Sequence, residues 1–175
     1  MEHDHYQRGN YVVYGNHGIC MIEDVKELSF PPDRNARVYY VLKPLNNPAS
    51  TLCIPTDNDA LRSKLRSVLS REEISLLLTG AKGKKIPWTE DKNARTACFH
   101  EILKNGAQEE LLPMIRCIYL KKQELSLRGR KLPGADEAIL AAAEKLVREE
   151  FSYVLSIPQE KVEEYIRTVH GISEE

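Results

Sequence analysis

The chain has 175 residues, of which 42% are hydrophobic and 29% charged, with a formal net charge of −1 at pH 7. That balance suits a folded globular chain of one domain or two small ones, and excludes a disordered or fibrous class. No apolar run approaches the ~18 residues that a membrane-spanning helix needs, and the polar start from Met1 to Asn10 is unlike a secretory signal, so a cytoplasmic protein without membrane contact is expected.

In chain order, the first elements are two short strands, Tyr11–Tyr14 and Ile19–Ile22, joined by a Gly15–Asn16–His17–Gly18 turn. Val and Tyr favour a pleated, half-buried surface, while Gly and Asn tolerate the positive φ of a hairpin turn. Glu23–Leu28 continues the second strand, and Pro31 and Pro32 mark Ser29–Ala36 as a loop. The aromatic and β-branched run Arg37–Leu42 predicts another strand. Turn chemistry fills Lys43–Ser50, and Thr51–Ile54 is a last short strand stopped by Pro55. Short strands at this spacing, with no helical period, predict a small SH3-like or Tudor-like β-barrel over residues 1–56.

From Thr56 the pattern becomes helical. A single turn at Asp57–Leu61 and an extended Arg62–Leu69 make residues 57–69 a linker region. Ser70-x-x-Glu73 is a capping box for a helix that Gly80 ends. After the basic stretch Ala81–Pro87, Thr89 caps a helix reaching Lys104, and Asn105–Gly106 ends it. Glu109–Leu125 is a third helix, with Pro113 tolerable near its first turn. Ser126–Asp136 is a loop, followed by a long amphipathic helix from Ala135 to Leu155 with an apolar stripe through Ile139, Ala143, Val147, Phe151 and Val154. Ser156-x-x-Gln159 with Pro158 starts a final helix that Gly171 ends. The fold class is therefore α+β: a front β-barrel and an all-α helical bundle over residues 70–175.

The chemistry of these elements is sparse. Cys20, Cys53, Cys98 and Cys117 lie 33, 45 and 19 residues apart, with no CxxC pair. Each sits in an apolar run and reads as a small hydrophobe; no metal site is expected. No P-loop, GxGxxG, HExxH or GxSxG is present, and His17 beside Gly18 reads as a turn residue, so no catalytic residue and no cofactor are assigned. Charge is distributed unevenly. Residues 81–131 hold 12 Lys and Arg against 6 Asp and Glu, a net +6, whereas residues 132–175 hold 4 against 10, a net −6. A basic middle suits a polyanion-binding face, or a set of solvated helix faces. The single Trp, Trp88, follows Lys84, Lys85 and Pro87. By physics alone it is a core anchor or a staple across a helix start; a surface aromatic in a basic frame is the functional alternative, with helix N–H groups nearby to favour a phosphate.

The motif Gly9-x-x-Val12-Val13-Tyr14-x-x-His17-Gly18-x-x-x-Ile22 resembles the opening signature of the CarD/CdnL family of bacterial transcription regulators, a module also present in the transcription-repair coupling factor. Members usually carry Asp at the position of Asn10 and Pro at that of Gly15. The resemblance implies a non-enzymatic regulator whose front module pairs an exposed strand edge, here Thr51, Leu52, Cys53 and Ile54, with the RNA polymerase β subunit. It also implies that Trp88 acts in the minor groove of promoter DNA at the upstream edge of the transcription bubble, stabilising the open complex. Lys92 and Arg95 become phosphate contacts, with Lys84 and Lys85 behind them; Arg128, Arg130 and Lys131 join as candidates from charge. Glu90 and Asp91 stand where actinobacterial relatives are basic, a difference that bears on DNA affinity and not on fold. A cytoplasmic monomer, held at the nucleoid through polymerase, is expected. The alternative is a protein–protein adaptor of polymerase that does not touch DNA.

Overall fold

The computed structural model describes residues 6–32, 34–80 and 85–170, with Val169 and His170 described by backbone alone. The chain divides into two compact units, Met1–Val68 and Leu69–Glu175.

The front unit contains β1 (Tyr11–Tyr14), β2 (Ile19–Leu28), β3 (Arg37–Pro44), β4 (Leu52–Pro55), a short helix α1 (Asp59–Arg62) and β5 (Leu65–Ser67). The strands form one antiparallel sheet in the order β4-β3-β2-β1-β5. No ladder joins β4 to β5 among the described residues, which leaves these two strands as the edges. Every strand sends side chains into a single core of Val12, Tyr14, Cys20, Ile22, Tyr40, Leu42, Ile54 and Leu65.

The β1–β2 connection is a 3₁₀ turn, Gly15–His17, followed by Gly18 at φ 71°, ψ −149°, a conformation open essentially to glycine alone. Tyr14 stacks on His17 with ring centroids 5.7 Å apart, consistent with a turn role for this histidine. Residues 57–68 are not a linker. Asn58 caps α1 by accepting from the Leu61 N–H, and β5 pairs with β1 through Val12↔Ser67, Val13↔Arg66 and Tyr14↔Leu65. The segment expected to be extended is the fifth strand of the sheet.

The second unit holds α2 (Arg71–Gly80), α3 (Lys92–Asn105), α4 (Gln108–Leu127), α5 (Gly134–Leu155) and α6 (Gln159–His170). The capping box forms as expected: Ser70 N–H donates to Glu73 Oε2 at 2.7 Å and Glu73 N–H to Ser70 Oγ at 3.1 Å. The cap of α3 is Asp91 and not Thr89; its carboxylate accepts from Asn93 and Ala94 N–H. Pro113 lies beyond the first turn of α4 and removes the helical bond to the Glu109 carbonyl. Ser156 closes α5 in the left-handed region at φ 56° and so does not cap α6, while Gly171 lies outside the described residues. The core gathers Ile74, Leu78, Phe99, Leu111, Met114, Ile118, Ile139, Ala143, Phe151 and Val162 from all five helices. Buried polar groups are cross-linked: Gln108 Nε2 donates to Glu150 Oε2 at 2.8 Å, and Leu69 N–H to Glu150 Oε1 at 3.1 Å.

Candidate interaction sites

The first candidate is the edge strand β4. It pairs with β3 through Leu42↔Leu52, Val41↔Cys53, Tyr40↔Ile54 and Tyr39↔Pro55, and Thr56 N–H donates to the Val38 carbonyl at 2.9 Å. Antiparallel partners alternate between bonded and non-bonded pairs. The Thr56–Val38 bond therefore places Ile54 and Leu52 in bonded pairs and turns the backbone polar groups of Cys53 outward. Pro55 falls in the other non-bonded pair, where its missing N–H costs the ladder nothing. Leu52 and Cys53 are half-buried, Ile54 is buried and Thr51 is exposed just before the strand. The stretch Thr51–Ile54 thus includes a strand edge whose outward main-chain donors and acceptors pair with no other strand among the described residues, the feature that β-augmentation requires.

The second candidate surrounds Trp88. Residues 85–89 have no regular secondary structure, and Trp88 precedes the cap of α3 and does not sit in its first turn. The indole is half-buried and packs against the helical core, edge-on to Phe99 with centroids 6.3 Å apart. Two cations lie over its ring, the Arg95 guanidinium at 4.2 Å and Lys121 Nζ at 5.5 Å from the centroid. Asp91 already takes two N–H groups at the start of α3, so those donors are not open to a phosphate.

Arg95 is not a surface cation. Its side chain is 5% exposed and that of Asp136 is 1% exposed. Arg95 Nε donates to Asp136 Oδ1 at 3.1 Å and Nη2 to Oδ2 at 2.9 Å, a forked pair linking α3 to α5. Arg95 Nη1 also donates to the Thr89 carbonyl at 2.7 Å and the Glu90 carbonyl at 3.4 Å. The Asp136 bonds hold the guanidinium pKa above its ordinary value against the opposing effect of burial. Read from sequence as a phosphate contact, Arg95 instead fixes the Trp88 segment to the helical core.

Lys121 and Glu90 close over the same place. Lys121 Nζ lies 3.1 Å from Glu90 Oε1 and 3.4 Å from Glu124 Oε2. The hydrogen bond from Lys121 is the main reason the Glu90 carboxyl lies below its ordinary pKa, and the same bond raises Lys121. The indole N–H also favours the Glu90 carboxylate, although Trp88 Nε1 is buried without a hydrogen bond of good geometry. That Lys121 stands over Trp88 could not be read from residues so far apart in the chain.

The remaining expected contacts are dispersed. Lys84 lies outside the described residues. Lys85, Lys92, Arg130 and Lys131 are exposed and make no ion pair among the described residues. Arg128, also exposed, pairs with Glu124 at 3.2 Å. The described residues contain no group of three His, Cys, Asp or Glu that could hold a metal ion, and no helix among them is long and apolar enough to cross a membrane.

Residues 6–69 match the family model described as the CarD-like/TRCF RID domain. No curated protein matches the chain. The match covers β1 to β5 and bears out the resemblance carried by Gly9 to Ile22: the front unit is a CarD-like domain of the RNA polymerase-interacting class.

Proposed function

We propose that the chain is a non-enzymatic, cytoplasmic regulator of transcription initiation that works as a monomer at the nucleoid. The front unit docks on the β subunit of RNA polymerase by adding a strand to Thr51, Leu52, Cys53 and Ile54. The helical unit lays Lys85, Lys92, Arg128, Arg130 and Lys131 on promoter phosphates, with Trp88 at the upstream bubble edge, and favours the open complex. The observation that carries this reading is the match over residues 6–69 together with a β4 edge whose Cys53 backbone faces away from the sheet.

The DNA half draws its support from the exposed cations Lys85, Lys92, Arg130 and Lys131. A regulator shifts an equilibrium only through its differential affinity for the two states. A preference of about 1–2 kcal/mol for the open promoter changes the open-to-closed ratio roughly 5–30-fold. The packing of Trp88 on Phe99 favours a second reading, an adaptor that binds polymerase and a further protein without touching DNA. A promoter-melting assay with matched polymerase decides between them. Trp88→Ala is expected to shorten the open-complex lifetime while polymerase binding persists. If the wild-type protein leaves that lifetime unchanged, the adaptor reading takes its place.

A further inference from the structure

Resting on the reading of Trp88 as a nucleic-acid contact, we propose that Glu90 is a built-in stand-in for a phosphate. Its carboxylate fills an anion site formed by Lys121 and the indole N–H, and covers Trp88 until a polyphosphate or nucleic-acid backbone displaces it.

The geometry separates a fixed part from an exchangeable one. Arg95 is locked between Asp136 and the Thr89 and Glu90 carbonyls, so the cation 4.2 Å from the indole centroid cannot leave without breaking a buried pair. Lys121 is different. Its side chain is only 16% exposed, whereas the Glu90 side chain that meets it is 82% exposed. The lysine side chain is thus held against the unit, and its counter-ion sits on the solvent side. An ion pair with so exposed a partner contributes little to stability and is screened by salt, so an outside anion exchanges for it readily.

The indole marks the same point. Trp88 Nε1 is buried, yet among the described residues no acceptor reaches it with hydrogen-bond geometry. Buried indole N–H groups usually find a partner. Glu90 is near enough for that N–H to favour its charged form, but does not complete the bond. A phosphate carries more acceptor oxygens than a carboxylate and can meet Lys121 and the N–H together. The acidic residue beside Trp88, which looked like a defect in a nucleic-acid surface, then sets a threshold: short or singly charged anions leave the site closed.

The chain has one Trp, so its emission reports this site alone. Tripolyphosphate and a short fluorescent DNA duplex are titrated into the full-length protein, Glu90→Gln and Lys121→Gln, with acrylamide quenching of Trp88 measured on each. Glu90→Gln is expected to make Trp88 more quenchable and to tighten tripolyphosphate binding about 3–10-fold, with the duplex salt slope steeper by about one unit. Lys121→Gln is expected to abolish the tripolyphosphate response. Tripolyphosphate binding that follows this pattern, with no variant binding duplex, upholds the anion site and removes the nucleic-acid reading. Equal duplex binding by wild type and Glu90→Gln, with Trp88 equally shielded, overturns the proposal and spares that reading. A Glu90→Gln protein with wild-type quenching and no gain for either ligand also overturns it.

Discussion

At Gly15 the backbone takes φ 47°, and its N–H donates to the Lys64 carbonyl at 3.0 Å. Proline, usual at this position in chains that share the Gly9–Ile22 signature, holds φ near −65° and has no N–H. The turn here is therefore of a different kind, and replacing Gly15 by the residue its relatives prefer should harm it. Gly15→Pro is expected to lower stability by roughly 3 kcal/mol, seen as a fall in denaturation midpoint at unchanged slope; a wild-type midpoint would show that the turn can be rebuilt. Nearby, burial pushes the Cys20 thiol from an ordinary 9.0 up to about 11, and burial and the Cys20 charge raise the Tyr14 phenol in the same direction. Both acids bind their proton more tightly when folded. The thiol's contribution is thus complete below about pH 9 and declines between 9 and 11, and the phenol's declines as pH rises above its ordinary pKa. Cys20→Ala should flatten the alkaline fall of Tm relative to wild type. Parallel curves would refute a role for that thiol. Arg95 teaches the opposite lesson about legibility: its charge and place in a basic stretch were visible, but the carboxylate that buries it lies 41 residues away. Nothing local in a sequence sorts interior cations from surface ones.

The elements that could be read from sequence are those with a local cause. β1 and β3 carry β-branched and aromatic runs, and α2 announces itself by its capping box. β5 has only three residues, Leu65–Ser67, and is a strand because β1 offers it a partner some fifty positions earlier, so its own composition says nothing. The start of α3 was misplaced because Thr89 and Asp91 are both good caps; the structure uses Asp91, with the Thr89 carbonyl held by Arg95 instead. For β4 the edge position follows from the strand order, and the ladder alternation isolates one useful substitution. Cys53 N–H points away from β3, so Cys53→Pro should remove an edge donor while sparing the β3–β4 ladder. It is expected to reduce affinity for the isolated β subunit at least tenfold with little change in Tm, as measured by calorimetric titration and melting. Unaltered affinity would move the docking surface off β4.

Taken as a whole, the chain has a net charge of −1, although residues 81–131 alone sum to +6. Such a molecule has little long-range attraction for DNA and depends on being brought near it. A sequence-independent contact with Kd of roughly 100 μM leaves about 1% of sites occupied at ~1 μM free protein, whereas a tether giving an effective concentration of ~1 mM raises the bound-to-free ratio to about ten. Two measurements on the full chain separate the parts. Duplex affinity of the free protein should be weak and should drop roughly 40-fold between 50 and 200 mM salt if about three phosphates are contacted. Cys53→Pro should keep that affinity and its salt slope, since the substitution lies in the unit that ends at Val68, yet lose the effect on open-complex lifetime at the same protein concentration. Loss of duplex affinity in Cys53→Pro would place nucleic-acid contact in the front unit. An unchanged open-complex effect would mean that the helical unit finds the promoter without polymerase as its tether, which a net charge of −1 and a weak, salt-screened contact do not allow.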